Sequence, residues 1–107
     1  MGRHMIYNKL VRDNIPQIIA LTGGKAETRI LCPEEYRQYL EAKLDEETGE
    51  FHKEKNVEEL ADILEVVYAL ASDLGCSREE LEAIYQKKHE KRGGFDQRIL
   101  LISSEYG

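Results

Sequence analysis

No tryptophan occurs among the 107 residues, and phenylalanine occurs only twice. No aromatic platform alternates with basic residues, so the stacking surface that grips single-stranded nucleic acid is missing. Positive charge is also the minority: 15 Lys and Arg stand against 21 Asp and Glu, a formal net charge of −6. That balance disfavours a nucleic-acid polymer as partner. It leaves room for a small phosphate ligand, because a bound metal ion reverses the local field. Long apolar runs are absent too. None approaches the roughly 20 residues a membrane helix needs, and no secretory signal is visible. Cysteine is scarce: Cys32 and Cys76 lie far apart and form no Cys-x-x-Cys pair. They read as two free thiols of a cytoplasmic protein.

What remains is a charged, moderately apolar chain, 41% hydrophobic with a mean hydropathy of −0.56. Its length suits one small domain. A core of that size is thin, so association into a dimer or tetramer would help bury apolar area. The opening Met1-Gly2-Arg3-His4 before Met5 reads as a cloning remnant, leaving a single domain over residues 5–107.

Local signals predict an all-α, antiparallel helical bundle of about four helices. Pro16 suits a first turn and Asn14 a cap, giving a short helix over Ile15–Leu21 that stops at Gly23-Gly24. A long helix starts near Pro33 and runs to about Lys53. Asn56 caps the next, with Glu59 in the capping-box position, and that helix runs to Leu74 before Gly75. Ser77 caps the last, with Glu80 in the box, and Gly93-Gly94 ends it. Short connections favour antiparallel packing of neighbours. Residues 26–31 and 97–103, the latter carrying Ile99-Leu100-Leu101-Ile102, are candidates for a small two-stranded β element.

A helix turns about 100° per residue, which places each acid around its axis. On the first long helix, Tyr36, Leu40, Leu44 and Phe51 form an apolar stripe; Glu47 falls inside it, Glu50 on its flank and Glu46 at its edge, while Asp45 points away. On the second, Leu60, Ile63, Leu64, Val67, Leu70, Ala71 and Leu74 form the stripe. Glu59 flanks it, Asp62 lies further round, and Glu58 and Glu65 project to the opposite side. An unpaired ionised Glu facing a core costs several kcal/mol, so Glu47 needs a partner: a Lys, an Arg or a metal. Carboxylates converging from two helices repel one another, and a divalent cation relieves that repulsion. Hard oxygen ligands favour Mg²⁺, with Mn²⁺ as the alternative, over Zn²⁺. Di-iron bundles use Glu-x-x-His, but Gly49 and Gln86 stand three residues before His52 and His89, so neither histidine reads as a ligand.

The pattern Glu46-Glu47-x-x-Glu50 followed by Glu59-x-x-Asp62 resembles the signature of the all-α nucleoside triphosphate pyrophosphohydrolases, the superfamily of MazG and phosphoribosyl-ATP pyrophosphohydrolase. Lys43-Leu44 before the first acids, and Leu60-Ala61 and Ile63-Leu64 around Asp62, extend the likeness. So do the opening Tyr7-Asn8-Lys9-Leu10-Val11-Arg12-Asp13-Asn14-Ile15-Pro16 and the closing Lys91-Arg92-Gly93-Gly94-Phe95, which look like a MazG-like subgroup. The connection from Phe51 to Glu58 is shorter than in many MazG relatives, leaving less chain to shape a nucleotide pocket.

The resemblance implies a Mg²⁺-dependent hydrolase of an α–β phosphoanhydride, yielding a monophosphate and pyrophosphate, and an oligomer whose long helices pack across subunits. Glu46, Glu47, Glu50, Glu59 and Asp62 would hold the metal, and Glu46 or Glu47 would position the attacking water or take its proton. Lys9, Arg12, Lys88, Lys91 and Arg92 are the candidate phosphate contacts; as helix-end cations, Lys91 and Arg92 also suit the negative end of a dipole. The competing expectation is a helical interaction or regulatory module that keeps the fold without catalysis.

Overall fold

The computed structural model describes residues 4–107. The first three residues of the leading segment read above as a cloning remnant lie outside them. Among the described residues four helices follow one another: α1 (Ile15–Leu21), α2 (Pro33–Glu54), α3 (Val57–Asp73) and α4 (Arg78–Arg92). The all-α expectation holds, with boundaries within a residue or two of those signalled by the caps.

The ends of the helices show why. Pro33 occupies the first turn of α2, and Cys32 caps it in a capping box with Glu35. Arg29 clamps both oxygens of Glu35, at 3.1 and 2.9 Å. Those bonds, with those of Cys32, lower the Glu35 pKa to about 2. Ser77 and Glu80 form the reciprocal box at α4. α1 and α3 both end in Schellman motifs. Gly23 N–H donates to the Ala20 carbonyl and Gly24 N–H to that of Ile19; Gly75 N–H donates to Ser72 and Cys76 N–H to Ala71. Gly23 and Gly75 take positive φ, +90° and +83°, as this motif requires. Two expected caps differ in detail. Asn14 stands at the cap position of α1, but its own backbone is helical and its side chain makes no capping bond. Asn56 accepts from Glu59 N–H at 3.1 Å, yet the Glu59 carboxylate does not reciprocate and stays available for other contacts.

α2 and α3 form the central pair, α4 packs more lightly on α3, and α1 packs against no other helix. The two-residue turn at Lys55-Asn56, with Lys55 in the left-handed region at φ 53°, reverses the chain. The pair is therefore antiparallel: Arg37 near the start of α2 bonds Asp73 at the end of α3, Nε to Oδ2, at 2.7 Å. Between that ion pair and the turn lies the core, Leu40 and Val66.

Two expectations are corrected. Residues 26–31 and 97–103 form no strand. A two-stranded element needs a surface to bury a face against, and Ile99–Ile102 project into solvent, Ile102 at 89% exposure. The face of α3 that meets α2 is also rotated. Val66 is buried while Leu60, Leu64 and Leu74 of the expected stripe are exposed. Around Val66, within about 60° on a helical projection, lie Glu59, Asp62, Ile63, Leu70 and Asp73. The rotation carries both acids of the Glu59-x-x-Asp62 motif toward α2 and leaves Val57, Leu60 and Leu64 on an apolar outer face.

The molecule is long, 69 × 31 × 23 Å, with a radius of gyration of 18.8 Å, against about 13 Å for a compact chain of this size. Its accessible surface is 10138 Å², where a compact monomer of this mass exposes about 6,000 Å².

Candidate metal and phosphate site

The turn at Lys55-Asn56 sets the height at which acids from the two helices meet. At a rise of about 1.5 Å per residue, Glu47 stands roughly 12 Å from the turn along α2, and Asp62 roughly 9 Å along α3. Glu59 lies between them and the turn. Oxygens of Glu47, Glu59 and Asp62 come within 4.8 Å of one another, and all three side chains are half-buried. The Glu47 side chain is 13% exposed, in keeping with its place inside the α2 stripe.

The other two predicted ligands sit at the margin. Glu50 is exposed and reaches the cluster through its field. Glu46 is turned toward two ammonium groups, Lys9 Nζ at 3.0 Å from Oε1 and Lys43 Nζ at 3.4 Å from Oε2. Burial opposes its ionisation, but the Lys9 bond and the charges of Lys43 and Lys9 outweigh this and hold its pKa below the ordinary value. The same bond raises the Lys9 pKa. Glu59 is shifted the other way: lost solvation, and then the charges of Asp62, Glu50, Glu47 and Glu54, push its pKa up.

Cations ring the acids. The opening segment, residues 4–14, has no helix or strand; it crosses from α2, where Lys9 meets Glu46, to α3, where Arg12 meets Asp62. Arg12 Nη2 lies 2.6 Å from Asp62 Oδ1 and Nη1 lies 3.3 Å from Glu65 Oε1. Two of the five expected phosphate contacts, Lys9 and Arg12, are thus at the acid cluster. Lys88, Lys91 and Arg92 are exposed on α4 and pair with none of these acids within one chain among the described residues; α4 packs on α3 alone.

Two participants were not singled out by sequence reasoning. Lys43, 16% exposed, lies 3.4 Å from both Glu46 and Glu47. Its position three and four residues before those acids was the available signal. Glu65 was placed on the far side of α3; the rotation of that helix brings it within reach of Arg12. No sequence pattern signals that contact, because it depends on where an irregular segment lies.

The donor set fits a hard divalent cation. It consists of carboxylate oxygens only, from two rigid helices, with charges that repel one another when bare. Glu47, Glu59 and Asp62 are the residues that would hold such an ion. A small cleft of about 80 Å³ lies between the opening segment (Asn8, Lys9, Leu10) and α2 (Tyr39, Lys43, Glu46), and none of the three converging acids lines it.

Among known proteins, a stretch of 42 residues is 48% identical to an uncharacterized protein of Mycolicibacterium smegmatis (strain ATCC 700084 / mc(2)155), covering 39% of this chain and 43% of that relative. No family model and no solved structure matches the chain.

Proposed function

We propose that the chain is a Mg²⁺-dependent pyrophosphohydrolase that cleaves the α–β phosphoanhydride of a nucleoside triphosphate or a related substrate to a monophosphate and pyrophosphate. One observation carries the reading: half-buried Glu47, Glu59 and Asp62 converge from two helices, with Lys9 and Arg12 at their edge. Glu47, Glu59 and Asp62, with Glu46 and Glu50 at the margin, would hold the ion. Such an ion, when bound, neutralises phosphate oxygens and lowers the pKa of water (Mn²⁺ would serve the same way). The chain supplies the rest. Glu46 or Glu47 takes a proton from the attacking water. As the water oxygen bonds to the α-phosphorus, the bond to the bridging oxygen breaks and pyrophosphate leaves. Lys9 and Arg12 offset charge on the phosphates.

The test is a panel of nucleoside triphosphates incubated with the protein, with Mg²⁺ or with chelator, and scored for monophosphate and pyrophosphate. Equimolar monophosphate and pyrophosphate, in the Mg²⁺ arm alone, is the expected result. Orthophosphate as first product, or no turnover on any phosphoanhydride, ends this reading and favours a non-catalytic helical module.

The working form is a homo-oligomer, a dimer or tetramer. The excess surface and the apolar outer face of α3 support this, and a second copy would also offer the cations of α4, Lys88, Lys91 and Arg92, to the phosphates. Burying one Leu is worth about 1.5–3 kcal/mol. Leu64→Glu is therefore expected to weaken self-association at least tenfold while preserving helix content. Sedimentation should show the parent chain above its 12.4 kDa monomer mass and the variant shifted toward it. A monomeric parent would refute the oligomer.

A further inference from the structure

The opening segment is fastened by charge. Met5, Ile6, Tyr7 and Val11 are exposed and Leu10 is half-buried, so apolar burial is the smaller part of what holds it. Its anchors are Lys9 on Glu46 and Arg12 on Asp62 and Glu65. Arg12 straddles two acids of different standing. Asp62 belongs to the converging trio; Glu65, three residues on, does not. The guanidinium therefore competes for a carboxylate that the metal reading also needs, with a second carboxylate on its other side.

The geometry points to Arg12 as an exchangeable counter-ion, with Glu65 as the positioning residue that retains it. This rests on the metal reading above. Without a divalent cation, Arg12 neutralises Asp62 and closes the opening segment over the acids. When Asp62 turns to the cation, Arg12 loses that partner and stays on Glu65, beside the metal, where it faces an incoming phosphate. The planar fork of Arg suits this double use, since one edge can hold a carboxylate while other N–H groups remain free. Glu65 keeps the released cation from drifting into solvent, and so sets where the phosphate meets it.

Mg²⁺ alone, titrated calorimetrically into the intact chain and its variants, separates the outcomes. The ion pair is half-exposed, and exposed pairs are worth about a two- to fivefold change in an equilibrium constant. Arg12→Gln should tighten Mg²⁺ binding by about that factor, because the competitor is gone. Glu65→Gln should weaken it by a similar factor, because Arg12 then rests wholly on Asp62. In the Arg12→Gln background the Glu65→Gln effect should largely vanish, which a general loss of negative charge would not produce. Circular dichroism checks that each variant is folded. Unchanged or weaker binding in Arg12→Gln, with the parent binding Mg²⁺ normally, overturns the exchange and leaves the metal reading intact. No Mg²⁺ binding by the parent or any variant overturns both.

Discussion

Glu47→Gln is expected to lower Mg²⁺-dependent pyrophosphate release by about a hundredfold or more, the range that loss of a positioned carboxylate produces. Glutamine keeps the size of the side chain and its place on the α2 stripe, so the helix pair should survive. What it removes is one negative charge from the point where Glu47, Glu59 and Asp62 meet. Asp62→Asn should act alike. Glu50→Gln, at an exposed position, should cost far less. The same substitutions have a second consequence that separates a functional from a structural role. The carboxylates crowd one another, and the pKa of Glu59 is raised by lost solvation first and then by the charges of Asp62, Glu50, Glu47 and Glu54. Removing one charge should abolish any stabilisation by Mg²⁺, while the metal-free protein, which loses mutual repulsion but also the Lys43–Glu47 or Arg12–Asp62 ion pair, should change little in stability. Steady-state pyrophosphate assays and thermal melts with and without Mg²⁺ check both halves. Parental turnover in Glu47→Gln and Asp62→Asn would end the catalytic assignment.

Leu40→Ala should cost about 2–5 kcal/mol, the range for emptying a well-packed leucine site. Leu40 is the most buried side chain of the small core, 2% exposed, with Val66 and Ala71 the other buried hydrophobic residues. Domains of this size carry a total stability of about 5–15 kcal/mol, so the loss is a large share of the whole. Urea denaturation at one fixed protein concentration measures it, since any self-association would make stability concentration-dependent. A loss below about 1 kcal/mol would mean that the α2–α3 contact is not what holds the chain together.

Much of this architecture was legible because its signals are local. Pro33, Asn56 and Ser77 open helices, and Gly23, Gly75 and Gly93 close them, by rules that need no knowledge of the rest of the fold. Glu47 was identifiable because α2 has one narrow apolar stripe and a single acid inside it. The face of α3 was not, because Val57, Leu60, Leu64, Val66, Val67, Leu70 and Leu74 spread over about half of its circumference. Periodicity cannot choose which part of so wide an apolar arc meets α2. The apolar run at residues 99–102 looked like a strand for a related reason: the pattern marks a segment that wants burial, not the partner that supplies it. Arg12 with Glu65 was out of reach as well, since an irregular segment has no period to project. The candidate metal site was legible as a set of acids. The grouping of Glu47, Glu59 and Asp62 apart from Glu46, which Lys9 and Lys43 engage, required the coordinates.

If carboxylates from α2 and α3 crowd together to take a divalent cation, calorimetric titration of the parent chain with Mg²⁺ gives a saturable heat, and its melting temperature climbs across the same concentrations, both effects being lost in Asp62→Asn. A flat titration and an unmoved melting temperature would contradict it.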